Sequence, residues 1–481
     1  MIDYFVILNR PNTIWVSDKY LDSNLDSESY SPELIIKQKK VLESGLNLLK
    51  LKDIVKSSFI TGSTPKYSDE VIKDGAVLLK TVNIDYNNLN DSKFFYISKE
   101  DHENKLKRSK LVKNDLVITV IGATEDVIGR TIVYRGYPQR ANITQSLCKF
   151  SVKEDYDAYY ISTFLNCKYG HALILRKSSS STRKYINNTD LGEIVIPIPS
   201  PEIQKYIGDK VRRAEELREE ARRLKKIAED IVKNELRLDE LRIKLKNVKD
   251  TFGWQGPQVL TARIDSSYYN QKYLLKEEFL RNCQDKFVML NELVEVVFTG
   301  KKPSKVDTGE EIFFIQSGDI STNFMELNTK VKVDINKSRL VEYGDLLFAK
   351  DGETIGKIAV NYSTKKSTLN EHTYCIRLKK KYRAYASYIY YLLINDLFND
   401  LIRREATGSA QKGLNQDFLE RIVIPIISEE KILQLKELEE DRCKKIYQSK
   451  ELIQQAKQDV EDLIEGKFDM SKLKESAVES R

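Results

Sequence analysis

From Ser200 the apolar residues fall on a seven-residue repeat. Leu217, Leu224, Ile231, Leu238 and Leu245 make one row; Ala214, Ala221 and Ala228 make a second, three residues ahead of it. Small residues in one row beside large ones in the other form the a/d seam of a helix that packs closely on a partner helix. Ser200 is placed as the N-cap, with Pro201 at the first helical position and Glu202 in the first turn. The pattern predicts one helix from Ser200 to Asn247, about 70 Å long at 1.5 Å per residue. No single globular core needs that length, so the helix reads as a spacer. A second long helix is predicted from Ser428, with Ile432, Ile446, Ile453 and Val460 in one row and Leu435, Ala456 and Leu463 in the other. Glu439, Arg442 and Ser449 interrupt this seam, and Gly466 marks its stop.

Outside the long helices the pattern shortens, and it occurs twice. The segment from Leu25 answers that from Ile264, and L-K-D-I-V-K-S-S-F-I-T-G-S-T-P from Leu51 answers L-N-E-L-V-E-V-V-F-T-G-K-K-P from Leu290. K-N-D-L-V-I-T-V-I-G around Asp115 answers Y-G-D-L-L-F-A-K-D-G around Asp345, and E-I-V-I-P from Glu193 answers R-I-V-I-P from Arg421. The offset drifts only from 239 to 228 residues along the chain. A period that long is a duplicated domain, not a solenoid. Short β-branched runs between Gly-containing turns, followed by one amphipathic helix in each copy (158–165 and 386–400), make each copy α+β; Y-F-V-I-L at residues 4–8 reads as one further strand. The expected organisation is a first α+β domain over 1–199, a central spacer helix over 200–250, a second domain over 251–427, a distal helix over 428–466 and a polar tail over 467–481. To bury its stripe, the distal helix must run back along the central one. The expected molecule is therefore antiparallel in its helices and two-fold in its pseudo-symmetry.

Composition adds little against this picture. Charged residues make up 31% of the 481, which long exposed helices account for. A net charge of +7 permits a polyanionic partner without requiring one. Five scattered cysteines with no C-x-x-C, no basic apolar leader and no membrane-length apolar run point to reduced thiols in the cytoplasm. Cys167 and His171 lie four apart but have no second pair, so they read as packing and not as a metal site.

Catalytic constellations are missing from the sequence: there is no G-x-G-x-x-G, phosphate loop, H-E-x-x-H or amino-methyltransferase N/D-P-P-Y/F. Two loops look suited to a polyanion. Residues 176–185, R-K-S-S-S-S-T-R-K-Y, supply Arg176, Lys177, Ser181, Thr182, Arg183 and Lys184, cations and hydroxyls that contact phosphate oxygens. The matching loop supplies Arg403, Arg404, Ser409, Gln411 and Lys412; glutamine suits a bidentate contact to adenine. Lys66, Arg130, Lys301, Lys302 and Lys357 recur beside Gly or Pro turns in the two copies.

Taken in order, the duplicated openings ending in G-S-T-P and G-K-K-P, the N-D-L and G-D-L segments, the G-S-A-Q-K-G-L loop from Gly408 and the I-V-I-P strand leading into a long helix resemble the specificity subunit of a Type I restriction–modification enzyme. The resemblance implies two target-recognition domains, each reading half of a split DNA target. It implies two antiparallel helices that set the gap and dock two methyltransferase subunits, with motor-nuclease subunits joining. S-adenosylmethionine, ATP and Mg2+ would be used by partners, and this chain would be non-catalytic. Two other readings fit the same sequence: a structural adaptor with two protein-binding modules, and a recognition subunit of another DNA-modifying defence system.

Overall fold

The computed structural model describes residue 21 and residues 26–179, 183–248, 265–302, 309–320, 324–408 and 412–474. The strand expected at 4–8 lies outside them. The chain forms two compact units, residues 1–217 with 448–481, and residues 218–447.

Each unit is built on the same plan. In the first, a four-stranded sheet has the order Ile60–Thr61, Leu147–Phe150, Leu116–Thr119, Thr131–Val133. In the second, the order Val294–Thr299, Thr373–Leu378, Leu346–Ala349, Ile358–Val360 repeats it. A three-stranded sheet accompanies each, containing one parallel pair: Ala141–Ile143 on Ala76–Leu79, and Ser367–Leu369 on Glu310–Ile315. The I-V-I-P strands pair antiparallel with Asn47–Lys50 and with Phe287–Met289. A buried tyrosine on an earlier helix of each unit (Ala158–Asn166 or Tyr385–Ile394) fastens them, Tyr160 donating to the Pro197 carbonyl (2.6 Å) and Tyr388 to that of Pro425 (2.8 Å).

The N-D-L and G-D-L segments owe their likeness to one turn. Asn114 and Gly344 both have left-handed backbone, φ 73° and 85°, a region open to glycine and tolerated by asparagine. The next residue, Asp115 or Asp345, is buried and accepts the backbone N–H of Val112 or Glu342 (3.0 and 2.8 Å). Its charge is met by Lys149 in the first unit (2.9 Å) and by Arg377 in the second (2.8 Å).

The long helices contribute to both cores. In the first unit Ile203, Ile207, Val211 and Ala214 pack in one cluster with Ile453, Ala456, Val460 and Leu463. In the second, Ala228 and Val232 share a cluster with Ile432, Leu435 and Cys443. The start of one helix meets the end of the other in each unit, so the pair is antiparallel; Lys210–Asp459 and Lys445–Glu220 bridge it. The alanine row lies at the centre of the seam, with Ala214, Ala221 and Ala228 all buried. Of the predicted large residues, Leu217, Leu238, Ile432, Ile453 and Val460 are buried, whereas Leu224, Ile231 and Ile446 are half-buried at its margin.

The central helix departs from expectation at its end. It spans Pro201–Glu235 and does not continue to Asn247. Arg237 takes a left-handed conformation (φ 53°) and a separate helix, Leu238–Lys246, follows. Two residues two apart lie on opposite sides of a straight helix, yet Leu236 and Leu238 are both in the second unit's core. The break makes that possible, and the Gln284 amide donates to the Glu235 carbonyl at the helix end, at 2.6 Å. The uninterrupted helix is about 52 Å long. No helix of the described residues is long and apolar enough to cross a membrane.

Candidate nucleic-acid interface

In each unit the loops converge at one end of the four-stranded sheet. The strand Leu116–Thr119 runs out at Val120, which donates its N–H to Ser146 (2.9 Å) and accepts from Ile186 (3.0 Å). The strand Leu346–Ala349 runs out at Lys350, which donates to His372 (3.0 Å) and accepts from Leu414 (2.8 Å). Beside these come the turn after the first strand (Gly62 or Gly300) and the residue before the last, Arg130 or Lys357, whose carbonyl accepts from Thr119 or Ala349 (2.9 and 3.0 Å). The returning loop closes the edge. Lys184–Tyr185 pairs with Ile121–Gly122, and Gly413 bridges Asp351.

The turn glycines are fixed by space. A Cβ on Gly62 would lie 1.9 Å from the Ile143 carbonyl oxygen, and one on Gly300 1.7 Å from that of Leu369. Gly300→Ala is expected to cost about 2 to 3 kcal/mol through forced displacement of the backbone. The measurement is the urea denaturation midpoint, and an unchanged midpoint would contradict the close approach.

Several predicted residues reach this edge. Lys301, Lys302 and Lys412 are exposed there, Lys357 is half-buried, and Lys66 and Arg183 are exposed on the corresponding loops of the first unit. Arg403 is exposed, with its side chain close to the turn at Gly356. Two others are engaged by acids. Arg130 pairs with Asp126 at 2.8 Å and lies over the Tyr86 ring. Lys184 pairs with Glu28 at 2.7 Å and lies 3.6 Å from Glu125; burial would lower its pKa, but these carboxylates outweigh that and hold it above the usual lysine value. Lys177 is half-buried. Ser181, Thr182, Ser409 and Gln411 lie outside the described residues.

Arg176 and Arg404 are corrected by the structure. Both are buried, at 4% and 8% exposure. Arg176 donates to the Ser29 carbonyl (2.9 Å), bonds Gln38 and lies over the Tyr30 ring. Arg404 lies over Tyr268, at 4.1 Å from the ring centroid, and pairs with Glu277 and Glu405. They stand at the same place in the two copies, each clamping the segment that precedes the first long stretch of its unit. Inside the fold they are not available to a phosphate.

Other groups at the edge went unremarked in the sequence. Gln145 is exposed and accepts from the Thr64 hydroxyl. His372 pairs with Asp351 at 2.9 Å, and Lys350 lies 3.7 Å from the same carboxylate. Their signal is register: they flank strands that occupy matching positions in the two sheets.

One α+β unit is built twice, and each copy gathers its loops, with exposed cations among them, at one end of its four-stranded sheet. The chain belongs to the family of the Type I restriction modification DNA specificity domain, which it matches over residues 43–229 and 285–461. It is 31% identical over 147 residues to the Type I restriction enzyme EcoBI specificity subunit of Escherichia coli, a match taking in 30% of this chain and 29% of that relative's length. Among solved structures, it is similar to the S subunit of a Type-I restriction-modification system from M. genitalium (TM-score 0.44, 14% identity, covering 89% of this chain and 98% of that one). The HsdS subunit from Thermoanaerobacter tengcongensis is a more distant likeness (TM-score 0.28, 13% identity, 88% and 97%).

Proposed function

We propose that this chain is the sequence-reading, non-catalytic subunit of a DNA methyltransferase–endonuclease complex. Each unit's loop edge contacts one half of a bipartite double-stranded DNA target. The paired helices set the gap between the halves and dock two methyltransferase subunits, which motor-nuclease subunits join. S-adenosylmethionine, ATP and Mg2+ are used by those partners and not by this chain. The observation that carries this reading is the same convergence of loops built at the same sheet end in both copies of a chain from this family. Random DNA pools incubated with the chain and its partner methyltransferase are expected to yield a bipartite sequence. Failure to enrich one refutes the reading.

The same reading makes helix length a functional quantity. Removing one heptad from each long helix shortens it by about 10 Å, or about 3 base pairs of gap at 3.4 Å each. Methylation mapping of DNA exposed to the reconstituted complex measures the gap, and an unchanged gap would mean the helices are not the ruler.

A further inference from the structure

Each unit carries another duplicated feature at its loop end, a single helical turn that follows the parallel strand. In the first unit it is Thr81–Asn83, after Ala76–Leu79; in the second it is Ser317–Asp319, after Glu310–Ile315. The two are bonded alike. Asn83 and Asp319 are buried, and their side chains accept the backbone N–H of Lys80 and Gln316 (3.0 and 2.9 Å). Their own N–H groups donate back to the Lys80 and Gln316 carbonyls, both at 2.9 Å, and their carbonyls accept from Asn90 and Glu326 (2.8 and 2.9 Å). The Asn83 amide donates further to the Asn90 and Lys93 carbonyls, and Asp319 accepts from the Asn328 amide. The carbonyl just before each turn, Leu79 or Ile315, accepts the N–H of Thr144 or Asn370 (3.1 and 3.0 Å). Those residues open the loops that run through Ser146 and His372 to the ends of the central strands. The turn therefore stands at the loop edge of each unit.

A base fixed by buried bonds carries, in each copy, a different tip. In the first unit Lys80 is drawn aside. Its ammonium lies 4.3 and 4.2 Å from the ring centroids of Tyr67 and Phe95 and donates to the Tyr67 hydroxyl (3.0 Å). Val82 is then the side chain turned outward, at 59% exposure. In the second unit Gly318 holds the place of Val82, with open space where a Cβ would lie, and Gln316 holds the place of Lys80 and is exposed. The turn forms in the same way with either tip, so the fold leaves these positions free to vary while fixing where they stand. Reading a sequence needs that combination, a side chain of free chemistry on a rigid support. A glutamine amide matches the donor and acceptor of adenine in the major groove, and an apolar side chain matches the methyl group of thymine.

We propose that this turn is a base-reading element in both units: Gln316 reads an adenine in the half-site taken by the second unit, and Val82 contacts a thymine methyl in the half-site taken by the first. The assignment rests on the proposed DNA-reading function and adds to it the residues that set one position of each half.

The test uses the full chain reconstituted with its partner methyltransferase and a random DNA pool. Gln316→Ala is expected to lose about tenfold of the preference for adenine at one position of one half. Gln316→Glu keeps the shape but leaves only acceptors, and is expected to move that position toward cytosine. Val82→Ala is expected to lower the preference for thymine about fourfold at one position of the other half. The gap and the remaining positions should not change. Both side chains are exposed and the bonds that build the turn remain, so thermal melting of the variants should match the parent. If the parent enriches a bipartite sequence but the variants select the same one, or one variant alters both halves, the turn is not a reader and the DNA-reading function stands. If the parent enriches no sequence, the function fails and the assignment fails with it.

Discussion

Replacing Arg442 by alanine is expected to destabilise the second unit by about 4 kcal/mol. Arg442 and Glu439 lie on the distal helix at 3% and 1% exposure, inside the seam. The guanidinium grips the carboxylate with two bonds, 2.7 Å to Oε2 and 2.6 Å to Oε1. The Tyr391 hydroxyl and the Cys443 thiol donate to the same carboxylate. Burial alone would lower the Arg442 pKa, but the adjacent Glu439 charge overcomes it and holds the guanidinium charged. Without Arg442 the carboxylate is left buried with no counter-charge, and that accounts for the expected loss. Replacing both members by leucine removes the charges together and is expected to be near neutral, or stabilising by about 1 kcal/mol. Urea unfolding of the two variants decides the matter; a single-variant loss below about 1 kcal/mol would mean that water reaches the pair. A pattern reading counts these two residues as defects in a heptad. In the fold they are a closed pair in the same stripe.

Arg404→Ala is expected to cost about 3 kcal/mol without changing the salt dependence of DNA binding. The side chain is 3% exposed and is shared between Glu277 and the fully buried Glu405, which also receives Arg421 at 2.6 Å. Its loss leaves Glu405 short of one cation and Tyr268 without the plane it stacks on. A DNA contact would behave in the opposite way, with full stability and a slope reduced by about one. Arg176→Ala should act in the same sense as Arg404→Ala but more weakly, because its partners are the Ser29 carbonyl, Gln38 and the Tyr30 ring, with no buried carboxylate among them.

The two arginines show how far the sequence could be read. Duplication was legible because scaffold residues recur: Asn114 and Gly344 for a left-handed turn, Asp115 and Asp345 for its buried acid, Gly62 and Gly300 for a close approach. The same recurrence is a poor guide to binding residues. Two copies share what the fold needs, so Arg176 and Arg404 recur as interior clamps. Residues that face different ligands have no reason to recur, and Gln145 does not resemble Glu371, nor Ser146 His372, which hold the matching places. The seam was legible from its period, but its centre was not. Alanine carries little hydrophobic signal, yet the alanine row is the most buried because it lets the backbones approach. The break at Arg237 left no trace, since no glycine or proline marks it. It follows from the demand that Leu236 and Leu238 enter one core.

The partition of the chain has a bearing on how such molecules can be recombined. The second unit is one continuous stretch, 218–447, whereas the first is assembled from 1–217 and 448–481. Both junctions fall inside helices, in Pro201–Glu235 and Glu429–Ile464. A pair of crossovers at these two points would therefore transplant an entire unit as a single cassette, with its own share of both helices. Crossovers at the helix starts would sever each core from the helical segment that completes it. The graft also has to keep phase. Joints that insert or delete residues in multiples of seven preserve the buried stripe, whereas a change of two or five residues, which leaves about half a turn over, rotates it toward water.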